Sequence, residues 1–367
     1  MLPNAPGVLI IGGGPAGAAA ACRLSSAGHH VLLCERQPQP RPQVCGEFLS
    51  ANACAELAEL DVSPRKLGAA PISHVRLIHG RRQVRAPLPL PARGLSREVL
   101  DERLLQRASE RGARVRRGVA VRWLERMRHG WRAVLGDGAA LEAPTVLLAA
   151  GKHDLRSHRR PRPAGADVVG FKMHWQLADA QAAALAGHVE LVWLDGGYAG
   201  LAPIENGLAN LCLMLSAQAF ARLGRSWERL LEQLEDMSPH LAARLDGARA
   251  AWPRPATIAG VPYGHLHQGG GAGGPWRLGD QLAVIPSFAG EGIGLALRTA
   301  RLAARSVGAG EAAAAYHQAA VRDVRRAVRA ACRLEYLTRP RAARRLVLEL
   351  GRVPGLLPTL ARAVRPD

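Results

Sequence analysis

A chain of 367 residues can bury a large core and hold two domains or one elaborated domain. Its formal charge of +19 invites a nucleic-acid reading, but the arginines are spread along most of the chain, aromatics make up 4 % of it, and no nucleic-acid motif accompanies them. DNA and RNA are therefore not the expected partners, and a basic surface that attracts anions such as phosphorylated cofactors is. Six cysteines with no C-x-x-C pair and no histidine at zinc-ligand spacing point to a reduced, cytoplasmic protein without a metal site.

The first strand begins within a few residues of Met1 without a positive leader, so no secretory signal is expected. The uncharged stretch from Ala5 to Cys22 is nearly long enough to span a membrane, yet Gly12-Gly13-Gly14-Pro15 at its centre would break the helix that lipid requires. Val8-Leu9-Ile10-Ile11 is instead an apolar, partly β-branched run expected to be a strand buried on both faces. Gly12-Gly13-Gly14-Pro15-Ala16-Gly17 follows, then a small-residue helix from Ala18 to Ala27 that stops near Gly28. A second apolar run from His30 to Cys34 ends on Glu35. Strand, G-x-G-x-x-G, helix, strand and acid in this order form the dinucleotide-binding βαβ fingerprint. Gly12 permits the tight turn, Gly14 lets backbone approach a pyrophosphate, and Gly17 lets helix and strand pack closely. The phosphates would meet unpaired N–H groups at the helix start, where aligned peptide dipoles favour negative charge. Glu35, about twenty residues on, is placed to accept hydrogen bonds from a ribose.

Proline at every second position from Pro38 to Pro42 dictates a loop. A helix expected from Ala51 to Leu60 leaves Cys45 and Gly46 at a loop-to-helix junction, where backbone can approach a ligand. From spacing alone, Cys45 reads as a buried small hydrophobe. Val75 to Ile78 and Gln83 to Ala86 suit a hairpin around Gly80. Ser96 is expected to cap a helix through Leu100, Leu104, Leu105 and Ala108, with Glu98 and Asp101 in its first turn. Arg97, at the start of that helix, is within reach of a phosphate or flavin edge, although a surface arginine is the default in so basic a chain. Val115 to Val121, Trp131 to Leu135 and Thr145 to Ala149 read as strands. The last ends on Ala150-Gly151, and ligands of open α/β sheets collect outside such ends.

Phe171 to Leu177, Val189 to Leu194 and Leu208 to Leu215 are longer, alternating runs expected to form an antiparallel sheet with one packed face. Gly196 to Gly207 reads as a loop facing a cavity. Tyr198 and Glu205 within it are the catalytic candidates, with His174 on a neighbouring strand, and a structural role competes for each. Ala217 to Gly247 adds helices. Further on, Ile285-Pro286-Ser287-Phe288-Ala289-Gly290-Glu291-Gly292-Ile293-Gly294 opens a helix to about Ser306. The bare N–H groups of Gly290, Gly292 and Gly294 make a second anion-friendly helix start. Val321 to Val364 is helical in period and rich in arginine, with breaks at Pro340, Pro354 and Pro358. Its apolar positions, among them Leu346, Val347, Leu350, Leu356, Leu357 and Leu360, are expected to face the protein or a membrane surface. No second nucleotide-binding βαβ is visible.

Taken together these motifs resemble the FAD-dependent enzymes of the para-hydroxybenzoate hydroxylase fold and, within them, the geranylgeranyl-reductase-like branch, over nearly the whole chain up to about Ser306. The resemblance implies an α/β fold with a Rossmann-type, glutathione-reductase-like FAD-binding domain made of residues 1–70, 95–165 and 255–310. An antiparallel-sheet substrate domain of 71–94 and 166–254 would be inserted into it, and 311–367 would form a C-terminal helical segment. The resemblance further implies that Gly12, Gly14 and Gly17, with Pro15 and Ala16 between them, face the FAD pyrophosphate, Glu35 the adenosine ribose and Arg36 the adenine side. Cys45-Gly46-Glu47 resembles the family's Cys-Gly segment beside the isoalloxazine ring, and Arg97 the arginine that supports the flavin. Gly279-Asp280 resembles the motif whose carboxylate bonds the ribityl chain. Pro286 with Gly290-Glu291-Gly292-Ile293 resembles the segment that sets a helix N-terminus against the flavin pyrimidine.

Two departures stand out. Gln281-Leu282 stands where Ala-Ala usually follows the Gly-Asp motif. Tyr198-Ala199-Gly200-Leu201-Ala202-Pro203 keeps the tyrosine and proline of the reductase pattern Tyr-x-Trp-x-Phe-Pro but loses both bulky aromatics, and the Trp-x-Trp-x-Ile-Pro signature of flavin halogenases is missing. The expectation is an NAD(P)H-dependent FAD monooxygenase acting on a small or medium apolar, aromatic or polyketide-like metabolite, with the nicotinamide docking transiently. A double-bond reductase of the prenyl type, whose basic C-terminal helices touch a membrane, and a non-catalytic flavin-binding assembly protein are the alternatives. A monomer or dimer fits each of them.

Overall fold

The computed structural model describes residues 6–161, 167–269, 273–353 and 355. The chain opens with β1 (Val8–Ile11), α1 (Pro15–Ser26) and β2 (Val31–Glu35). The helix starts three residues earlier than Ala18, because Pro15 has its φ preset for a first helical turn and no N–H to leave unpaired there. Next come β3 (Phe48–Leu49), α2 (Ala51–Ala58), β4 (Ala70–His79), β5 (Arg82–Gly94), α3 (Arg97–Glu110) and β6 (Arg114–Arg117). The strands β7 (Val121–Met127), β8 (Gly130–Leu135), β9 (Ala140–Ala143) and β10 (Thr145–Leu148) follow. The middle of the chain holds β11 (Val168–Gln176), α4 (Asp179–Leu185), β12 (Gly187–Leu194), β13 (Gly197–Pro203) and β14 (Ala209–Ser216). Four short helices, α5 (Ala217–Arg222), α6 (Trp227–Glu232), α7 (Leu234–Met237) and α8 (Pro239–Leu245), precede β15 (Arg249–Ala250), β16 (Ala256–Ala259) and β17 (Trp276–Arg277). The described chain closes with α9 (Gly292–Gly308), α10 (Ala313–Leu337) and α11 (Arg341–Leu350).

A Rossmann-type parallel sheet in the order β17-β10-β1-β2-β6 carries the fingerprint. The chain leaves β1 through α1 to β2 on one side and returns later to β10 on the other, so the end of β1 lies at a topological switch point, where ligands of such sheets bind. Side chains of β1 alternate in their packing. Val8 and Ile10 join α1, α2, α3, α9 and α10 in one core, and Leu9 and Ile11 pack on the opposite face against the small sheet β7-β8-β9. That double cover explains why β1 is apolar at every position.

The second sheet has nine strands, with β11, β14, β13, β12, β4 and β5 in its centre. Its pairs are antiparallel except β4 with β12. Phe171, Met173, Val192, Leu194, Ala199, Leu201, Leu211 and Leu213 face the short helices α5 to α8 and bury a core there. The intervening residues point to the other side of the sheet, as the two-residue period of a strand requires.

The structure corrects three readings. Val115 to Val121 is two strands in different sheets, because Gly118 turns the chain at a φ of +72°. Gly197 to Pro203 is no loop but the strand β13, hydrogen-bonded on both sides, and the turn before it is at Gly196. The C-terminal helical stretch starts at Ala313 and breaks, as expected, at Pro340. Pro354, Leu356, Leu357, Pro358 and Leu360 lie outside the described residues.

Candidate functional site

At the end of β1 the backbone turns at Gly12, whose φ is +108°. A Cβ at Gly12 would stand 2.4 Å from the Ala149 carbonyl oxygen, and one at Gly17 would stand 1.9 Å from the Gly12 carbonyl oxygen. Both positions therefore require glycine. Helix α1 begins at Gly14 with no side-chain cap, whereas α2 and α3 are capped by the hydroxyls of Ser50 and Ser96. The first N–H groups of α1 thus open onto a groove of ≈ 680 Å³ as an anion-binding end. Glu35 faces the same groove. Its Oε2 accepts from Gly13 N at 2.6 Å and its Oε1 from Gln37 N at 2.8 Å, which fixes the carboxylate and leaves lone pairs for a ribose. Arg97 donates from Nε and Nη2 to both carboxylate oxygens of Asp101 at 2.8 Å. A Cβ on Gly14 would lie 3.3 Å from Arg97 Nη2, so this planar fork is locked beside the glycine turn.

The opposite wall is the segment Val44 to Phe48. Lys152 Nζ donates to Val44 O at 2.9 Å and Asn210 Nδ2 to Cys45 O at 3.0 Å. Glu47 is fully buried in left-handed backbone at a φ of +55°, a conformation that costs roughly 1–3 kcal/mol and persists only where surroundings impose it. They do so through its carboxylate, which accepts from Arg97 N at 2.7 Å, from Lys172 Nζ, and from His174 Nε2 at 2.6 Å. Burial pushes the Glu47 carboxyl up, but the hydrogen bonds and charges of His174 and Lys172 outweigh it and hold the group below the usual carboxylate range. Lys172 and His174 are two apart on β11 and so share one face, with the Trp252 ring 4.5 Å from the His174 ring. The second sheet thereby grips the groove wall through an ionic contact between two otherwise apolar layers.

The third wall is the approach to α9. Gly290 has a φ of +69°, and a Cβ there would stand 2.8 Å from the Phe48 ring, so the turn leaves room for that ring only as glycine. Helix α9 begins at Glu291 without a side-chain cap onto its own backbone. Ser50 Oγ donates to Glu291 Oε2 at 2.9 Å, joining the starts of α2 and α9. Gly279 N is held by Thr299 Oγ1 at 2.9 Å, and Arg160 Nη1 donates to Asp280 O at 2.6 Å.

A second cavity of ≈ 540 Å³ adjoins the groove. Gly46, Phe48, Tyr263, Ser287 and Gly290 belong to the linings of both. Its floor is the face of the second sheet turned away from α5 to α8, with Val75, Leu77, Val189, Leu191, Trp193 and Met214 on it. Gly200 and Ala202, which stand where the reductase pattern has its bulky aromatics, also line it. The space they vacate belongs to the cavity. At the junction Ser287 Oγ is hydrogen-bonded by both Tyr198 and Tyr263 hydroxyls, the latter at 2.5 Å. Burial pushes both phenols well above their ordinary range, so they stay protonated at neutral pH.

Of the residues singled out in the sequence, Gly12, Gly14, Pro15, Ala16, Glu35, Arg36, Cys45, Gly46, Arg97, Gly151, Asp280, Gly290, Gly292 and Ile293 all line the groove. Two do not. Gly17 is spent on the close contact with Gly12, and Pro286 sets the turn that precedes Gly290. Tyr198 lines the second cavity as a strand residue rather than a loop residue. Glu205 lines neither: its Oε2 accepts from Ser96 N at 2.8 Å and tethers the start of α3. Lys172, Tyr263, Ser287 and the carboxylate of Glu47 join the site only in the folded chain. Cys45-Gly46-Glu47 offered a local signal, but no spacing pairs Glu47 with a lysine 125 residues away.

An uncapped helix start, a fixed acid and a second uncapped helix across one groove fit a dinucleotide with a ring system lying toward the apolar cavity. This is the arrangement of a flavin-dependent oxidoreductase. The model of an NAD(P)-binding Rossmann-like domain matches residues 10–44, and the menaquinone reductase of Mycobacterium tuberculosis is 31% identical over 320 residues, 81% of this chain and 75% of that protein. The chain belongs to the family of FAD-dependent oxidoreductases that includes this reductase. Solved structures with the same fold include the flavin-dependent brominase Bmp2, with a TM-score of 0.81 at 17% identity over 98% of this chain and 93% of that one. The halogenase PltM in complex with phloroglucinol and FAD follows with a TM-score of 0.74 at 18% identity over 89% and 74%.

Proposed function

We propose that this protein is a flavin-dependent reductase of an apolar, unsaturated lipid of the prenylated-quinone kind. Within its family it then stands nearer the geranylgeranyl-reductase-like branch than the para-hydroxybenzoate hydroxylases. The observation that carries this reading is the apolar cavity that meets the cofactor groove at Gly46, Phe48, Tyr263, Ser287 and Gly290. Its size, the small residues Gly200 and Ala202 in its wall, and the likeness to a menaquinone reductase along most of the chain all favour a long apolar substrate over a small ring.

When bound, FAD supplies hydride transfer between a nicotinamide donor and an activated double bond. The residues of the chain bind, orient and supply a proton. Gly12, Gly14 and the start of α1 hold the pyrophosphate, Glu35 the ribose, and Arg97, fixed by Asp101, the phosphate or ring edge. The start of α9 turns its positive end to the groove, which favours the negative charge that accumulates there on reduction. Tyr198 and Tyr263, joined through Ser287, hold a proton at the junction of groove and cavity, where the double-bond carbon left with the π electron pair, next to the one that takes the hydride, needs it. NAD(P)H is the proposed donor, docking transiently.

Holoprotein incubated with NADPH and menaquinone under labelled oxygen tests the assignment. The expected product carries a pair of added hydrogens and no label. Label in the product would overturn the reductase in favour of the monooxygenase.

A further inference from the structure

Helix α11 carries apolar side chains on two sides, with Leu348 and Val347 packed inward and Leu346 and Leu350 outward. Arg344 is 6% exposed and donates from Nε to Thr338 O at 2.8 Å and from Nη1 to Leu194 O at 2.9 Å, with Leu348 beside it in the interior. On the opposite side Leu346 is 58% exposed, Leu350 43% and Val353 53%. Leu346 and Leu350, four residues apart, share one face of the helix, and Val353 follows just past its end. Tyr336 and Leu337, 68% and 63% exposed, end the preceding helix α10. A helix on an ordinary protein surface buries its leucines and shows its arginines, because the reverse leaves apolar surface in water and takes a cation out of it. Here Arg344 is buried on two backbone carbonyls while Leu346 and Leu350 stand in water, which leaves the exposed leucines for another apolar phase.

The charge around these leucines names that phase. Residues 321–353 contain ten arginines against three acids. Arg339, Arg341, Arg345 and Arg352 are exposed along the same segment, and the Arg339 guanidinium lies over the Tyr336 ring at 5.6 Å. Leucines flanked by arginine and an aromatic match an anionic lipid surface, into which apolar side chains sink while cations stay among the headgroups. Among the described residues no helix is long and apolar enough to cross a membrane, so the contact is a peripheral one.

We infer that the outer face of α11 and the end of α10 dock on an anionic membrane and present the apolar cavity to it. Leu334, Thr338 and Arg339 of this same segment and Arg344 and Val347 of α11 line that cavity, which reaches the surface at the exposed Arg339. A lipid could then pass from the bilayer into the cavity without crossing water. This deepens the lipid-reductase reading, but vesicle binding is measured without turnover, so the two can fail separately.

The test is flotation of the holoprotein with phosphatidylcholine vesicles, with and without phosphatidylglycerol. The protein is expected to float with the anionic vesicles, less so as salt rises, and not with neutral ones. The double variant Leu346→Ser, Leu350→Ser should bind about tenfold or more weakly, a loss of ~1.4 kcal/mol or more that partial burial of the two leucines supplies, with unchanged flavin absorbance and melting temperature. Arg345→Glu should weaken binding with no change in apolar surface. The inference is overturned if the protein ignores both vesicles, if the double variant floats like the parent, or if the parent is a dimer that the double variant splits, which would give this face to a second copy.

Discussion

His174 Nε2 lies 2.6 Å from a carboxylate oxygen of Glu47, a residue 127 positions earlier in the chain. With Lys172 on the other oxygen, this contact ties the antiparallel sheet to the loop that walls the cofactor groove. This fully buried acid, together with the Asn210–Cys45 hydrogen bond, therefore holds the apolar cavity and the cofactor groove in register.

Glu47→Gln should destabilise the protein by about 3–5 kcal/mol, because it strands the fully buried Lys172 ammonium without its counter-ion. A lowered melting temperature and loss of bound flavin on gel filtration are the expected readings. Adding Lys172→Met should restore part of the stability, since the uncompensated cation is gone. A single variant that melts with the parent would show that the ion pair does not hold the wall.

Gly17→Ala places a methyl 1.9 Å from the Gly12 carbonyl oxygen, and only movement of α1 off the glycine turn relieves the clash. Overpacking of this kind costs about 1–3 kcal/mol. Titration of the apo-protein with FAD should show affinity reduced by about tenfold or more. Equal affinity would mean that the turn does not carry the diphosphate.

Tyr198→Phe removes one of the two hydroxyls on Ser287 without changing the shape of the cavity. If the pair supplies the proton, kcat should fall by about a hundredfold, the size of a lost general acid. The flavin spectrum and substrate affinity should stay as they are, and Ser287→Ala should behave alike. Turnover at the parental rate in both variants would remove the pair from the reaction.

The sheet that forms the cavity should weaken in acid. Burial raises the carboxyl of Glu190, but hydrogen bonds from His240 and Arg244 outweigh it and bring it down to about 2. A folded-state value below the unfolded one means stability that is complete above about pH 4.5 and is lost as the pH falls toward 2, about 3 kcal/mol in all. Urea midpoints measured between about pH 6 and about pH 3 should fall in the parent and stay flatter in Glu190→Gln, which starts less stable. Parallel curves would show that Glu190 is not the titrating group.

Much of the cofactor groove is legible in the chain itself, because its signals are local. The glycine turn, Glu35 after the second strand, Ser96 three residues before the N–H it caps, and the glycines ahead of α9 all act on near neighbours in the chain. Tyr198 was legible as a residue of interest but not as part of a strand, since Gly196 and Gly200 imitate the composition of a loop. Glu205 misled for the same reason: an acid beside a glycine turn resembles a site residue until its partner, Ser96 N, comes into view.

The sequence by itself determined the dinucleotide-binding βαβ unit, the acid that follows it and the second uncapped helix start, since periodicity, glycine conformation and capping depend on residues a few places apart. Only the tertiary structure decided that Glu47 meets Lys172 and His174, that two tyrosines converge on Ser287, and that α11 turns Leu346 and Leu350 to solvent. Those outcomes depend on which sheet face lies against which loop, and burial assigns partners across the molecule without leaving any fixed spacing in the chain.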